Sequence, residues 1–188
     1  MTRSTDRILT THVGSLPRPL DLLDMMKFRL TGEGPAVEDD VYQARVTGAV
    51  AEIVAKQAEC GLDIVNDGEN SKPGFFVYAH QRISGLEARP DEKWMFYEAE
   101  RAAFPEYYEE YFARAMMGGM VAPVVPLYAV EPVEYIGQED IARDLVNLRT
   151  AMAAAGCEHG FVPSTAPNSV AFNDYYKDDE EFYFAAGE

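Results

Sequence analysis

The sequence has few cysteines, few basic residues and no long hydrophobic run. Its 2 cysteines among 188 residues are too few for the disulfide framework of a small secreted domain, so we expect a reducing compartment, the cytoplasm. No run of about 18 apolar residues occurs, and the sequence therefore predicts no transmembrane helix. The first residues, MTRSTDR, are polar and lack the apolar segment of a secretory signal.

Basic residues are half as numerous as acidic ones. Lysine and arginine together number 16 against 32 aspartates and glutamates, which gives a net charge of −16. Nonspecific nucleic-acid binding depends on lysine and arginine neutralising phosphates, so this class of function is disfavoured. A high net charge also keeps a protein soluble, which is the simplest explanation of the acidic composition.

The chain does contain enough apolar material for a core, with 47% hydrophobic and 12% aromatic residues. Many acidic residues are concentrated at 91–110, and this segment also holds several tyrosines, phenylalanines and the single tryptophan. A second acidic group, DDEE, lies at 178–181. An acidic segment rich in aromatic residues is more typical of a packed lid or a partner surface than of a solvated tail.

Hydrophobic patterning predicts an alternation of strands and helices. Glycines follow both long helices, whose apolar stripes include Val46 and Val50 in one and Leu145 and Leu148 in the other. The predicted strands are 8–13, 62–66, 122–130 and 157–164, and the main helices are 21–30, 38–59 and 138–155. This order implies parallel strands with helical crossovers. No Gly-x-Gly-x-x-Gly follows the first strand, so a dinucleotide site is not supported.

Polar residues follow the predicted strands, and in parallel α/β folds the carboxyl ends of the strands carry the functional groups. Each residue alone also has a structural explanation, since Ser15 and Asn168 suit turns and Asp67 suits a cap. Their coincidence at several strand ends favours a site. The predicted substrate-binding residues are His12, Ser15, Arg18, Asp67, Glu69, Ser164 and Asn168.

The first predicted strand end suits a carboxylate. Gly14 allows the backbone to approach a ligand because it has no Cβ, and Ser15 with neighbouring N–H groups can donate to a carboxylate. The prolines around Arg18 restrict its backbone. Glu69 can pair with an ammonium group. These residue types together indicate a small amino acid or acid as the ligand.

A metal site is not predicted in this chain. Cys157 and His159 have a spacing that zinc accepts, but they lie at the start of the fourth predicted strand, directly after a helix and at the end opposite His12 and Glu69. Cys60, at a helix end, is more typical of a small core residue.

Three stretches resemble the catalytic barrel of the cobalamin-independent methionine synthase family. THVGSLPRP (11–19) is similar to its first-strand motif, and GLDIVNDGE (61–69) resembles its second-strand motif. VPSTAPNSVAFNDYYKDDEEF (162–182) is similar to its fourth-strand loop and the helix that follows. The resemblance extends from about residue 7 to the end of the sequence, apart from an acidic, aromatic insertion at about 88–120. The wider family includes epoxyalkane:coenzyme M transferases.

The resemblance implies an α/β fold, the N-terminal half of a (β/α)8 TIM barrel, in one incomplete domain over 1–188 that holds strands 1–4. It implies zinc-dependent alkyl transfer to a thiol, with Ser15 on the substrate carboxylate and Glu69 on its amino group. The family's zinc ligands lie on later strands, so zinc is expected on a partner chain, where it would favour the thiolate. A reduced folate is the family's default methyl donor.

The leading interpretation is therefore one subunit of a split, heteromeric methyltransferase that is active only with a second polypeptide or a second copy of itself. No residue of this chain is assigned a catalytic role. The alternatives are a noncatalytic ligand-binding or regulatory subunit, and a truncated barrel without activity. The residues alone also permit a doubly wound sheet. Neither a nucleic acid nor a membrane is expected as a partner.

Overall fold

The computed structural model describes residues 3–92, 97–114 and 125–188, and the chain divides into two compact units. The first unit comprises 1–72 and 138–164, and the second comprises 73–137 and 165–188. In chain order the elements are α1 (Leu20–Thr31), α2 (Asp39–Glu59), β1 (Ile64–Asn66), α3 (Phe75–Arg82), β2 (Ile83–Ala88), α4 (Glu98–Ala103), α5 (Pro105–Arg114), β3 (Leu127–Tyr135), α6 (Gln138–Ala155), β4 (His159–Phe161), a 3-10 turn (Pro167–Ser169), β5 (Phe172–Asn173) and α7 (Asp179–Gly187).

The first unit is built on a small parallel sheet. Strands β1 and β4 pair in parallel, with Ile64 opposite His159 and Asn66 opposite Phe161. A single parallel bridge joins Thr11 to Ile64 on β1. Two predicted strands, 62–66 and 157–164, are thus present as shorter strands, and they are direct neighbours.

The predicted first strand, 8–13, is wrong as a continuous strand. The Asp63 side chain accepts the Thr10 N–H at 2.8 Å, and the Thr10 carbonyl accepts the N–H groups of Asp63 and Ile64, each at 3.1 Å. The Asp63 side chain therefore accepts the Thr10 N–H that would otherwise pair with a neighbouring strand, and only the bridge between Thr11 and Ile64 remains. The segment still runs beside β1, as the alternation of elements predicts.

Helices α2 and α6 pack against each other in the first unit. Val46, Val50 and Val54 of α2 are buried, as their spacing predicts. On α6 the buried face includes Leu148, but Leu145 is 37% exposed, so the predicted stripe is wrong at that residue.

The second unit contains a mixed sheet in the order β2-β3-β5. Strand β3 pairs antiparallel with β2 and parallel with β5. The predicted third strand, 122–130, is present from Leu127 onwards as part of β3. The parallel pairing predicted for it is wrong on one side, where β3 is antiparallel to β2. Residues 122–124 lie outside the described ranges.

Helices α4 and α5 fall within the predicted insertion at about 88–120, and residues 93–96 and 115–120 of it lie outside the described ranges. The buried residues of the second unit include Ala79, Leu127 and Val170, with Ile83 and Leu86 packed against them. In the described part of the chain, no helix combines the length and apolar character needed to cross a bilayer.

Candidate functional site

Ser15, Arg18, Asp67 and Glu69 meet in the first unit, where the loop after β1 contacts the segment before α1. The Ser15 hydroxyl donates to Glu69 Oε2. Arg18 donates to the Glu69 carbonyl from Nη2 at 2.9 Å and from Nε at 3.2 Å, and Nη2 also donates to the Lys72 carbonyl at 2.6 Å. The Arg18 guanidinium therefore holds the loop, while the Ser15 hydroxyl contacts the carboxylate.

The loop after β1 is shaped by its own polar side chains. Asn66 Oδ1 accepts the Gly68 N–H at 2.8 Å, and Asp67 Oδ1 accepts the Glu69 N–H at 3.0 Å. Glu69 has a φ of 57°, in the left-handed region that residues with a side chain adopt rarely. Such conformations cost on the order of 1–3 kcal/mol and cluster at functional sites.

The charged groups of this loop are buried. Glu69 is 2% exposed, and Asp67 and Lys72 are each 1% exposed. The Lys72 ammonium donates to the Pro163 carbonyl at 2.7 Å and lies 3.7 Å from Asp67 Oδ2. Buried charges are tolerated when they are paired, and here two carboxylates are balanced by Lys72 and Arg18.

Burial and charge pairing act in opposite directions on the ionisation of this cluster. Burial raises the pKa of the Asp67 carboxyl, and the Lys72 ammonium counteracts part of this rise. Burial lowers the pKa of the Arg18 guanidinium, and the Glu69 carboxylate opposes that change. The charged form of Asp67 is therefore favoured by Lys72, and the charged form of Arg18 is favoured by Glu69.

Several buried oxygens of the loop have no hydrogen-bond partner within the described ranges. These atoms are Asp67 Oδ2, Glu69 Oε1, Asn70 Oδ1 and Ser71 Oγ. An unsatisfied buried acceptor costs about 1–3 kcal/mol, so such a group in a native protein calls for an explanation. A donor-rich ligand group, such as an ammonium, satisfies acceptors of this kind.

The remaining predicted residues are placed differently. The half-buried His12 has its Nε2 3.0 Å from the Gly14 carbonyl oxygen, and its own carbonyl accepts Asn66 Nδ2 at 2.5 Å. Ser164 is exposed in the first unit. Asn168 is exposed in the second unit, where it lines a cavity of about 300 Å³ with residues that include Leu127 and Tyr183.

Sequence reasoning missed Gln57, Asn70 and Lys72. Gln57 lies within an otherwise apolar helical stripe, and its buried amide bonds the Asn66 backbone. Lys72 is a lone cation three positions after Glu69 in an acidic chain, and that isolation is the signal that could have indicated an ion pair. Asn70 follows directly on Glu69, which is the only signal for its place in the loop.

The described residues do not provide a zinc site. They contain no group of three or more histidine, cysteine, aspartate or glutamate side chains arranged to hold a metal ion. Cys157 and His159 are both half-buried at the start of β4, and the Cys157 sulfur lies 4.0 Å from the Ala155 carbonyl oxygen. The donor set that this part of the chain offers therefore does not fit the metal of the resembled family.

The family model for the cobalamin-independent synthase catalytic domain matches residues 8–136. The match covers more than half of the chain and includes both the segment of Ser15 and the loop of Glu69. The chain therefore belongs to the cobalamin-independent methionine synthase family, as the motifs of its first strand ends predict.

Two curated relatives are methionine synthases from Pyrococcus. The protein from Pyrococcus furiosus is 29% identical over 180 residues, a match that covers 92% of this chain and 43% of the relative. The protein from Pyrococcus abyssi is 28% identical over 176 residues, with the same coverage of 92% and 43%. The chain thus spans less than half the length of these relatives.

A solved structure shares the fold. The B12-independent methionine synthase from Shewanella sp. W3-18-1, solved in complex with selenomethionine, matches with a TM-score of 0.56 at 17% identity. The match covers 94% of this chain and 44% of that protein. At this level of identity the likeness establishes the α/β fold alone.

Proposed function

We propose that this chain is the substrate-binding part of a methionine-synthase-like transferase, in which a methyl or alkyl group passes to a thiol. The observation that carries the proposal is the Glu69 carboxylate. It is 2% exposed, accepts the Ser15 hydroxyl on Oε2, and has no partner on Oε1 in the part of the chain that the structure describes. A ligand ammonium group would complete it.

The chain's own residues have distinct roles in this proposal. Glu69 accepts hydrogen bonds from the ligand's amino group, and the Ser15 hydroxyl holds the Glu69 carboxylate. The backbone N–H groups next to Ser15 are the donors proposed for the ligand's own carboxylate. Arg18 acts on the loop, because its guanidinium donates to the carbonyls of Glu69 and Lys72. Asp67 holds the Glu69 N–H. His12, Ser164 and Asn168 stay predicted substrate-binding residues, each within its own unit.

The transfer step requires groups that the described residues do not supply. We propose that a second polypeptide, or a second copy of this chain, completes the (β/α)8 barrel and carries the family's zinc. The match covers 43% of each curated relative, and the proposed partner would supply the part of the barrel that this chain does not span. A reduced folate is the proposed methyl donor. Without such a partner, the same residues would serve a noncatalytic ligand-binding subunit.

Replacing Glu69 tests the proposal. L-selenomethionine, the ligand of the solved relative, is titrated calorimetrically into the wild-type chain, both alone and with any co-purifying partner. Glu69→Gln should weaken binding by about 1.5–3 kcal/mol, because a hydrogen bond to a charged group is lost. That loss corresponds to about 10- to 150-fold in affinity.

Glu59→Gln is the matched control, since Glu59 is an exposed carboxylate at the end of α2. It should leave the affinity unchanged. Equal affinities of the Glu69 variant and the wild type would remove Glu69 from the site. A variant that no longer melts cooperatively would instead assign Glu69 a purely structural role.

A further inference from the structure

We propose that Lys72 is a positioning residue that acts on Glu69 through Asp67. The ammonium of Lys72 fixes the Asp67 carboxylate, which in turn holds the Glu69 backbone in the conformation that presents its side chain to a ligand. The assignment rests on the proposed role of Glu69 in ligand binding, and it adds a residue that does not itself touch the ligand.

The side chain of Lys72 connects two separate parts of the first unit. It is 1% exposed, and its ammonium donates to the Pro163 carbonyl, just beyond β4, at 2.7 Å. The same nitrogen lies 3.7 Å from Asp67 Oδ2, just beyond β1. The contact with Pro163 is a hydrogen bond, whereas the contact with Asp67 is an ion pair beyond hydrogen-bond distance, so one ammonium connects both strand ends.

The next step leads from Asp67 to Glu69. Asp67 Oδ1 accepts the Glu69 N–H at 3.0 Å. Glu69 has a φ of 57°, and a residue with a side chain remains in that region when its surroundings hold it there. A hydrogen bond to an ionised carboxylate is roughly twice as strong as one to a neutral acceptor. The charge on Asp67 therefore determines how firmly Glu69 is held.

Lys72 favours that charge. Burial raises the pKa of the Asp67 carboxyl, and the carboxylates of Asp144 and Glu69 raise it further. Among the charged groups around Asp67, the Lys72 ammonium has the largest effect that lowers the pKa of the carboxyl. Arg18 adds a second positive charge within range of Asp67, and its guanidinium is engaged with carbonyls of the loop.

Substitutions of the Lys72 side chain test its positioning role without removing the hydrogen bonds of the Lys72 backbone. The Lys72 N–H donates to the Glu69 carbonyl at 3.0 Å, and the Lys72 carbonyl accepts from Arg18 at 2.6 Å. Both contacts remain available in Lys72→Gln and Lys72→Arg. The glutamine retains an N–H donor but has no charge, whereas the arginine retains the charge.

The ligand-free chain provides the first test. NMR follows the Asp67 carboxyl carbon and the Glu69 amide resonance through a pH titration of the wild type and the variants. In Lys72→Gln the titration midpoint of Asp67 should rise, and the Glu69 amide should shift with that titration. Lys72→Arg should restore both signals towards the wild type. Lys56→Met, which removes an exposed lysine of α2, should change neither.

Selenomethionine binding provides the second test, as a double-mutant cycle with Asp67→Asn. Lys72→Gln should weaken binding about tenfold in the wild-type background, since a charge-assisted hold on Glu69 is lost. In the Asp67→Asn background the same change should have an effect below about twofold, because there is no carboxylate charge left to maintain. Equal losses in the two backgrounds would make Lys72 a purely structural tether to Pro163.

The two tests fail separately. If selenomethionine does not bind, or binds independently of Glu69, the proposed function is wrong, and the ligand-free titration still decides the role of Lys72. If the Asp67 midpoint and the Glu69 amide are unchanged in Lys72→Gln, the positioning role is wrong. If Lys72→Gln alone fails to fold, restoration of folding by Asp67→Asn supports the coupling, and failure of the double variant to fold contradicts it.

Discussion

Gly68 occupies the tightest position in the loop that carries Glu69. Its φ is +62°, and a Cβ added there would lie 2.9 Å from Asn70 Nδ2 and 3.0 Å from Ile53 Cγ1. Its N–H donates to Asn66 Oδ1 at 2.8 Å, and its carbonyl accepts the Leu16 N–H at 3.1 Å. Both the conformation and the available space therefore require glycine.

Gly68→Ala should destabilise the chain more than Gly61→Ala does. Gly61 has a φ of +79° but nothing within 4 Å of an added Cβ, so its substitution costs only the left-handed conformation, about 1–2 kcal/mol. Gly68→Ala adds overpacking against Ile53, worth about 1–3 kcal/mol more. Urea unfolding of the two variants measures the difference. Equal losses would show that α2 moves away without cost.

At the scale of elements, Gln57 joins helix α2 to strand β1. Its Nε2 donates to the Asn66 carbonyl at 2.8 Å, and its Oε1 accepts the Asn66 N–H at 3.1 Å. Gln57 is 4% exposed and Asn66 is 0% exposed. The amide thus acts as a substitute strand partner for the last residue of β1, directly before the candidate site.

Gln57→Leu should lower the free energy of unfolding by about 2–4 kcal/mol, because two buried backbone groups lose their partners. Gln43→Leu on the same helix is the control, since Gln43 is only half-buried, and it should cost far less. Chemical denaturation measures both. A small loss in Gln57→Leu would mean that water or the substituted helix satisfies Asn66.

The helices were easier to predict from the sequence than the strand pairing. Val46, Val50 and Val54 recur at helical spacing and are buried, because a long amphipathic helix needs only one apolar face. On α6 the polar residue Asp144 is buried while Leu145 is 37% exposed. Asp144 lies within electrostatic range of Tyr42 on α2, a tertiary contact that helical spacing does not reveal.

The strand pairing depends on distant residues, which local patterning does not contain. The segment at 8–13 is rich in residues typical of strands, yet the Asp63 side chain takes the Thr10 N–H. The strand at Leu127–Tyr135 pairs with Ile83–Ala88, a segment for which hydrophobic patterning predicts no strand. The site was partly predictable: the motifs predicted Ser15 and Glu69 as site residues, and the structure shows them in contact, whereas the burial of Lys72 depends on a carbonyl of Pro163.

At the scale of the whole molecule, unpaired edges and exposed apolar side chains predict association. Strand β4 has β1 on one side, and within the described ranges no other strand pairs with it. Exposed strand edges invite pairing. Large apolar side chains are also exposed, among them Ile8 at 84%, Val13 at 70% and Phe184 at 68%.

We expect the purified chain to form a tight complex, with itself or with a complementary polypeptide, that buries more than about 2,000 Å². The net charge of −16 opposes contact between two copies. Added salt shortens the range of that repulsion to about 3 Å at 1 M, so self-association should strengthen as salt is raised. Sedimentation velocity across a salt series measures it, and metal analysis of the same fractions tests whether any of them carries zinc.

A chain that sediments as a single monomer at micromolar concentration throughout the salt series, and that melts cooperatively, would contradict the half-barrel proposal. It would favour a complete small α/β domain. A complex with a second polypeptide that carries one zinc, while this chain alone carries none, would support the split enzyme.

The first unit is formed by two stretches that are far apart in the chain, 1–72 and 138–164, so the ribosome completes it late. Lys72 and Pro163, which meet in the first unit, are 91 positions apart in the chain. At about 5–20 residues per second, a ribosome needs roughly 5–20 s to synthesise the intervening stretch. Throughout that interval Lys72 lacks its Pro163 acceptor, and the valine stripe of α2 is not yet covered by α6. The nascent chain is therefore a natural client for chaperones until β4 has left the ribosome.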